Sequence, residues 1–269
     1  MTFLDRKASS PAESGPIKRL FRWALPLILA LLLLVGWGLQ ARGPRLMILM
    51  YHDFTTEETA PNNWCLPISR FREDLEWLTS HGYTFYLPSE LAAGIPLEGK
   101  AVMLTFDDGY ESNYLLAYPL LKEYGAKAVI SVVAGLADQN AGGILTWEMC
   151  REMVDSGLVE IGSHTYDCHG EDTGGLVRRP GESQEDYADR VFPDLLKSIE
   201  VIEKEVGQRP VLLAYPSGKA DAWCKQFVRD HFTMTVTTWQ GPCWPRLGLY
   251  DLGRYNIALS VTPKKILKH

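Results

Sequence analysis

Seven short apolar runs of five to seven residues recur through the chain: Leu46–Tyr51 (LMILMY), Ala101–Phe106 (AVMLTF), Ala128–Val133 (AVISVV), Val159–Ser163 (VEIGS), Val211–Tyr215 (VLLAY), Phe232–Thr238 (FTMTVTT) and Arg254–Ala258 (RYNIA). Continuous apolar runs of this length read as strands buried on both faces of a parallel sheet. Helical patterns lie between most of them. Phe71, Leu75 and Leu78 repeat at helical spacing after a cap at Ser69. Tyr114–Tyr124 stops at Gly125, and Thr146 caps a helix through Met149, Met153 and Val154. Ser183–Val206 is a long pattern ending at Gly207, with Pro193 predicting a kink or break, and Asp221–Arg229 is a short final helix. Strands alternating with helices build βαβ units, and about seven strands fit an α/β chain closed as a (β/α) barrel. Residues 46–269 therefore read as one catalytic-sized domain.

The segment before it has another character. Trp23–Leu39 (WALPLILALLLLVGWGL) is 17 residues without a charge, and Gln40 and Ala41 bring it towards the length of a bilayer span. Residues 1–45 hold seven Lys/Arg against two Asp/Glu. With a net charge of −6 for the whole chain, this +5 head leaves −11 on the body, so no nucleic-acid footprint is expected. Arg6, Lys7, Lys18, Arg19 and Arg22 precede the run, and only Arg42 and Arg45 follow it closely. The positive-inside rule then keeps residues 1–22 in the cytoplasm, spans the membrane once with residues 23–41 and places the domain outside. The polar region before the run is long for a cleaved signal peptide, and GLQARGPR lacks a small-x-small cleavage site, so an uncleaved signal anchor is expected. Of the five cysteines, none forms a C-x-x-C pair; outside the membrane two disulfides could form, with one thiol left over.

In a parallel barrel the carboxyl ends of the strands open on one face, where polar residues tend to be functional. His52 and Asp53 follow the first run, Asp107, Asp108 and Gly109 the second, His164 the fourth, with His169 five residues on, and Pro216, Ser217 and Gly218 the fifth. Two histidines and one carboxylate form a common facial set for zinc or a similar divalent ion, with positions left for water and substrate. A second, adjacent carboxylate off the metal can serve as general base. Taken singly, Asp107-Asp108-Gly109 could equally cap a helix or form a turn, and either histidine could be a hydrogen-bonded loop residue. Their placement at the ends of strands that share a face is what favours a site.

TFDDGY at 105–110, GSHTYDCH at 162–169, AYPSG at 214–218 and LMYHDF at 49–54 resemble the motifs of the polysaccharide deacetylases, the NodB-homology enzymes of carbohydrate esterase family 4. The resemblance covers residues 46–258 and is greatest to the poly-N-acetylglucosamine deacetylase branch, which shares the five-residue histidine spacing. It implies a distorted (β/α)7 barrel, with Asp107 as general base, Asp108, His164 and His169 as metal ligands, and the Ser217 backbone N–H helping to hold an oxyanion. Zinc is the metal expected, with cobalt or nickel as alternatives. Ala214 stands where many members carry an arginine that orients the base, and Arg254 is the expected substitute. The family's late leucine-histidine motif has no clear counterpart; His269 reads as an exposed terminal residue, and His52 is the candidate acid. The activity implied is N-deacetylation of an N-acetylglucosamine-containing polysaccharide outside the membrane. The alternatives are an O-acetyl glycan esterase and a non-catalytic tethered glycan-binding module. The loop Gly170–Glu182 is expected to be a mobile surface segment, and Tyr110, Trp147, Trp239 and Trp244 either stack on sugar or fill the barrel rim.

Overall fold

The computed structural model describes residues 28, 29, 31, 43–170 and 174–267. The chain divides into two units, Met1–Gly43 and Pro44–His269. In the first, Ile28, Leu29 and Leu31 are helical. The rest of the expected cytoplasmic tail and anchor lies outside the described residues, as does His269. Among the described residues no helix is long and apolar enough to cross a membrane.

The second unit is built on seven parallel strands that match the seven apolar runs: β1 (Leu46–Tyr51), β5 (Lys100–Asp108), β6 (Ala128–Val132), β7 (Val159–Ser163), β8 (Leu212–Ala214), β9 (Met234–Val236) and β10 (Tyr255–Asn256). The sheet runs β10-β1-β5-β6-β7-β8-β9. Three short strands escaped the sequence reading: β2 (Asp53–Thr55), β3 (Cys65–Pro67) and β4 (Tyr83–Phe85). β4 pairs with Lys100–Val102 of β5, below the point where β6 begins to pair at Leu104. The seam between β9 and β10 is bridged by one segment. Leu252 bridges Val236 and donates its N–H to Thr235 O at 3.0 Å, and three residues later Tyr255 and Asn256 pair with Leu49 and Met50 of β1. The result is a curled parallel sheet of the (β/α) barrel kind, its two edges linked through this short seam.

Alternation along the strands sorts two cores. Leu46, Ile48, Ala101, Met103, Val129, Leu212, Ala214, Met234 and Val236 fill the barrel. Leu49, Tyr51, Val102, Leu104, Phe106, Ile130 and Val132 pack outward with helices that include α1 (Ile68–Ser80), α3 (Tyr118–Tyr124) and α5 (Trp147–Asp155). The remaining helices of the barrel are α2 (Pro88–Ala92), α4 (Ala134–Asp138), α6 (Gln184–Val206), α7 (Ala222–Val228) and α8 (Pro263–Ile266).

Four local expectations are corrected. Helix α1 starts behind Pro67 without a side-chain cap, because the Ser69 hydroxyl donates to Glu58 instead. Pro193 does not break α6, which runs unbroken for 23 residues. Pro193 and Asp189 are both exposed, so the carbonyl that loses its N–H partner faces water. All five cysteines are free thiols buried in the fold. In the loop after His169, the described residues from Gly174 onward are pinned rather than loose. Leu176 is buried, and its carbonyl accepts from Tyr187 Oη (2.8 Å) and Asp221 N (2.9 Å), while Arg190 donates to Gly175 O and Val177 O.

Candidate active site

The β5 strand delivers two adjacent carboxylates to one cleft. Ala101, Met103, Thr105 and Asp107 share the barrel-facing register. Asp108 would face the other way, but its φ of 72° breaks the alternation, so that both carboxylates line the same cavity. Positive φ also occurs at Thr165 (78°) and Ser217 (54°). Three non-glycine residues in the left-handed region around one cleft mark a site held in shape by its surroundings.

The cavity, about 270 Å³, is lined by His52, Asp107, Asp108, His164, His169 and Ser217, together with Met50, Asp53, Asn62, Trp64, Tyr110 and Thr238. Of the candidate catalytic and metal-ligating residues picked from the sequence, all except Arg254 line it. A larger cavity of about 510 Å³ lies elsewhere, beside Pro44, Leu91, Ile95 and Arg246. No carboxylate or imidazole lines it, so the chemistry belongs to the smaller cleft.

Asp108 Oδ1 lies 3.0 Å from His169 Nε2 and 3.4 Å from His164 Nε2. The three ligand-type atoms fall within 4.8 Å of one another. His164 Nδ1 is 2.8 Å from Ala214 O. A carbonyl can only accept, so Nδ1 carries the proton and Nε2 presents its lone pair to Asp108 and His169. That is the tautomer a metal ligand requires. Burial pushes the His164 pKa down, keeping the ring neutral, while the hydrogen bond to Asp108 raises that of His169. Burial works to raise the Asp108 carboxyl, but the His169 hydrogen bond works against it and the carboxyl lies below its ordinary value. The donor set fits a divalent ion of the zinc type.

Arg254 stands behind Asp107 rather than in the cleft. Its guanidinium is fully buried and grips the carboxylate at both oxygens, each at 2.7 Å. The remaining donors reach Thr237 O (2.9 Å) and Thr105 Oγ1 (3.1 Å). Thr105 in turn donates to Leu49 O. Burial would raise the Asp107 carboxyl; the Arg254 charge and its hydrogen bonds overcome this and hold it well below the usual carboxylate range. Asp107 is thus an ionised carboxylate with a fixed orientation.

His52 follows β1, and its ring centroid lies 4.6 Å from that of Trp64. Its Nδ1 is buried with no partner among the described residues, and burial lowers its pKa against the pull of Asp107 and Asp108. Ser217 sits in the 3₁₀ turn Pro216–Gly218. Gly218, at φ 70°, lies so tightly against Thr238 that a Cβ would fall 2.5 Å from Thr238 N.

Trp64, Asn62 and Thr238 are cleft residues that the sequence did not single out. Trp64 and Asn62 belong to the insertion between β2 and β3, which carries no strand or helix pattern to place it. Of the four aromatic candidates, Tyr110 lines the cleft, and Trp239, 80% exposed, lines a neighbouring cavity with Lys219 and Asp251. Trp147 donates its indole N–H to Asp138.

The family model described as "Polysaccharide deacetylase" matches residues 94–234. The Bacillus subtilis (strain 168) protein YxkH, whose name places it with the polysaccharide deacetylases, is 31% identical over 228 residues, covering 83% of this chain and 75% of its own. The poly-β-1,6-N-acetyl-D-glucosamine N-deacetylase of Escherichia coli (strain K12) is 28% identical over 205 residues, 64% of this chain and 30% of that enzyme. Among solved structures, the Streptococcus pyogenes deacetylase PplD in complex with acetate superposes with a TM-score of 0.70 at 28% identity, over 84% of this chain and 98% of PplD. The chain belongs to the polysaccharide deacetylase family. It is a hydrolase of that family, as the sequence motifs implied.

Proposed function

We propose that the chain is a metal-dependent N-deacetylase of an N-acetylglucosamine-containing polysaccharide, working outside the cytoplasmic membrane to which residues 23–41 tether it. The observation that carries this reading is the Arg254–Asp107 pair beside the Asp108, His164 and His169 cluster. A glycan-binding module needs no ionised carboxylate held by a buried arginine next to a metal-ligand set. The arginine whose absence at position 214 favoured that alternative is supplied from position 254.

Asp108, His164 and His169 would hold the ion, zinc by the chemistry of the donors. When bound, it polarises the acetyl carbonyl and makes water more acidic. The chain's own groups do the rest. Asp107 accepts the proton of the attacking water, a role suited to a carboxylate that Arg254 keeps ionised and oriented. The Ser217 N–H, at the start of a 3₁₀ turn where amide groups lack an intrahelical acceptor, is offered to the developing oxyanion. His52 would pass to the departing amine the proton that Asp107 takes from water, so that acetate and a free glucosamine unit result. Trp64, about half exposed, and Tyr110 wall the cleft. N-deacetylation is favoured by the names of relatives such as the E. coli enzyme. The location is supported by the apolar run and its flanking bases.

The test is acetate release from N-acetylglucosamine oligomers by the purified protein, stripped with chelator and then reloaded with zinc, beside O-acetylated xylo-oligosaccharides. Zinc-restored release from the N-acetyl substrate alone is expected. Faster release from the O-acetyl substrate would replace the reading with an esterase. No release from either, with zinc bound, would refute catalysis.

A further inference from the structure

His169 is the exposed member of the ligand cluster, its side chain 36% accessible against 4% for His164. His164 is fixed by the end of β7 and by Ala214. His169 depends on the five-residue excursion that leads to it, and that excursion is strained at its start, where Thr165 has φ 78°. What holds it is one face of α6. Asp194 Oδ1 accepts from Tyr166 N at 3.0 Å, and Asp194 Oδ2 accepts from Asp167 N at 2.7 Å and Cys168 N at 3.0 Å. Three successive backbone N–H groups thus converge on one carboxylate. One turn further along the helix, Ser198 Oγ lies 2.8 Å from Ser163 Oγ, which accepts from Thr165 N at 3.1 Å. From the other side, Ala134 N and Gly135 N donate to Thr165 O and Tyr166 O at 3.1 and 2.8 Å. Gly135 has no room for a side chain, since a Cβ would lie 2.7 Å from Tyr166 O.

The geometry points to Asp194 as a positioning residue for the metal site: its carboxylate gathers the amides of residues 166–168 and so sets where His169 can reach. This rests on Asp108, His164 and His169 being metal ligands. The chemistry explains why a carboxylate is needed. It offers about four lone-pair sites on two oxygens, enough for three donors. Asparagine keeps one acceptor oxygen, and its NH₂ would face an N–H where the second oxygen stood. Alanine leaves three amides to find other partners, at a cost for each one that stays buried. Asp194 touches neither substrate nor ion; it acts through His169.

The experiment compares the purified full-length wild type with Asp194→Asn and Asp194→Ala, and with Glu200→Ala as a control at an exposed position of the same helix. Zinc affinity is read by chelator competition, and ligand geometry by the visible absorption of the cobalt-loaded protein. Residues that orient metal ligands typically change metal affinity by 10- to 100-fold. Asp194→Asn is expected to fold with a melting temperature near wild type, to weaken zinc by about 10-fold or more and to alter the cobalt bands. kcat should fall while KM is preserved. Asp194→Ala should weaken zinc further or fail to fold, in which case Asp194→Asn decides. Wild-type zinc affinity and cobalt spectrum in Asp194→Asn would overturn the inference. Absence of zinc binding in the wild type would overturn the metal-site reading itself, and this inference with it.

Discussion

Replacing Arg254 with methionine tests the centre of the site, because it removes a charge and a fork of donors while nearly preserving volume. Arg254 and Asp107 have side chains 0% and 4% exposed, so neither gains water when the other is lost. Breaking a buried pair from one side costs about 3–5 kcal/mol, since it strands the remaining charge. The pH dependence gives an independent check. In the wild type the folded Asp107 carboxyl lies below its ordinary value. Its contribution is therefore present above the unfolded pKa, about 3.9, and is lost as pH falls through the depressed folded value. In Arg254→Met, burial dominates and the folded value lies above the unfolded one, so the sign reverses and the variant loses stability as pH rises from about 4. The stability gap between the two proteins should then widen by about 1.4 kcal/mol for each pH unit until the variant's carboxyl ionises. Urea unfolding of metal-stripped protein between pH 4 and 8 measures this. Activity should fall by about 100-fold or more, as loss of a well-placed general base does. Arg254→Lys should recover charge without the two-point grip and fall between. A methionine variant with wild-type stability at pH 7, or a gap that does not change with pH, would refute the argument.

Three further outcomes are expected. Asp107→Asn should lower kcat by about 10²–10⁴-fold while zinc affinity stays near wild type; full activity would remove Asp107 from the role of base. Asp74, buried beside Tyr51 Oη (3.2 Å) and Arg70, has its pKa pushed up from 3.8 to about 6 by burial. The native state then holds a proton the unfolded chain has released, and stability falls as pH rises across that window by up to about 3 kcal/mol. Asp74→Asn should flatten this part of the stability–pH curve, and an unchanged slope in denaturant titrations would contradict it. Gly218→Ala should cost at least about 1–3 kcal/mol from its positive φ alone, more with the overlap on Thr238, and should lower kcat by displacing the Ser217 amide; a thermal melt within a degree of wild type would show that the turn is not constrained as described.

Most of the seven strands were readable because a parallel strand buried on both faces leaves a short contiguous apolar run, which its length and flanking helical patterns set apart from a buried helix. The proposed metal ligands and base could be picked out because they follow β5 and β7, and strand order places those ends together. Where the reading stopped short, the partners were distant in sequence and local pattern was silent. Asp194 lies in the middle of a helix, where a carboxylate ordinarily signifies a solvated face. Trp64 sits in a segment with no periodicity. No break occurs at Pro193, and the carbonyl that loses its N–H partner lies at an exposed position. The cysteines show the limit of inference from compartment: all five sit in packed surroundings, and the fold is complete without linking them.

Arg254 shows how one strand's inward position can serve a carboxylate on another strand. In a closed barrel, inward positions on different strands address the same interior. Ala214, on β8, contributes a small side chain to that interior and its carbonyl to His164. The guanidinium enters instead from the seam. The seam can deliver it because the backbone there is tightly specified: a Cβ on Gly253 would stand 2.5 Å from Trp239 O, and Arg254 N donates to that same carbonyl at 2.7 Å. Two residues upstream the chain is bridged to β9, and at the next residue it pairs with β1. The segment that closes the sheet therefore also places the counter-charge on Asp107. Closing the barrel and keeping the base ionised are served by the same few residues, so loosening the seam should weaken Asp107 as a base before it unfolds the protein.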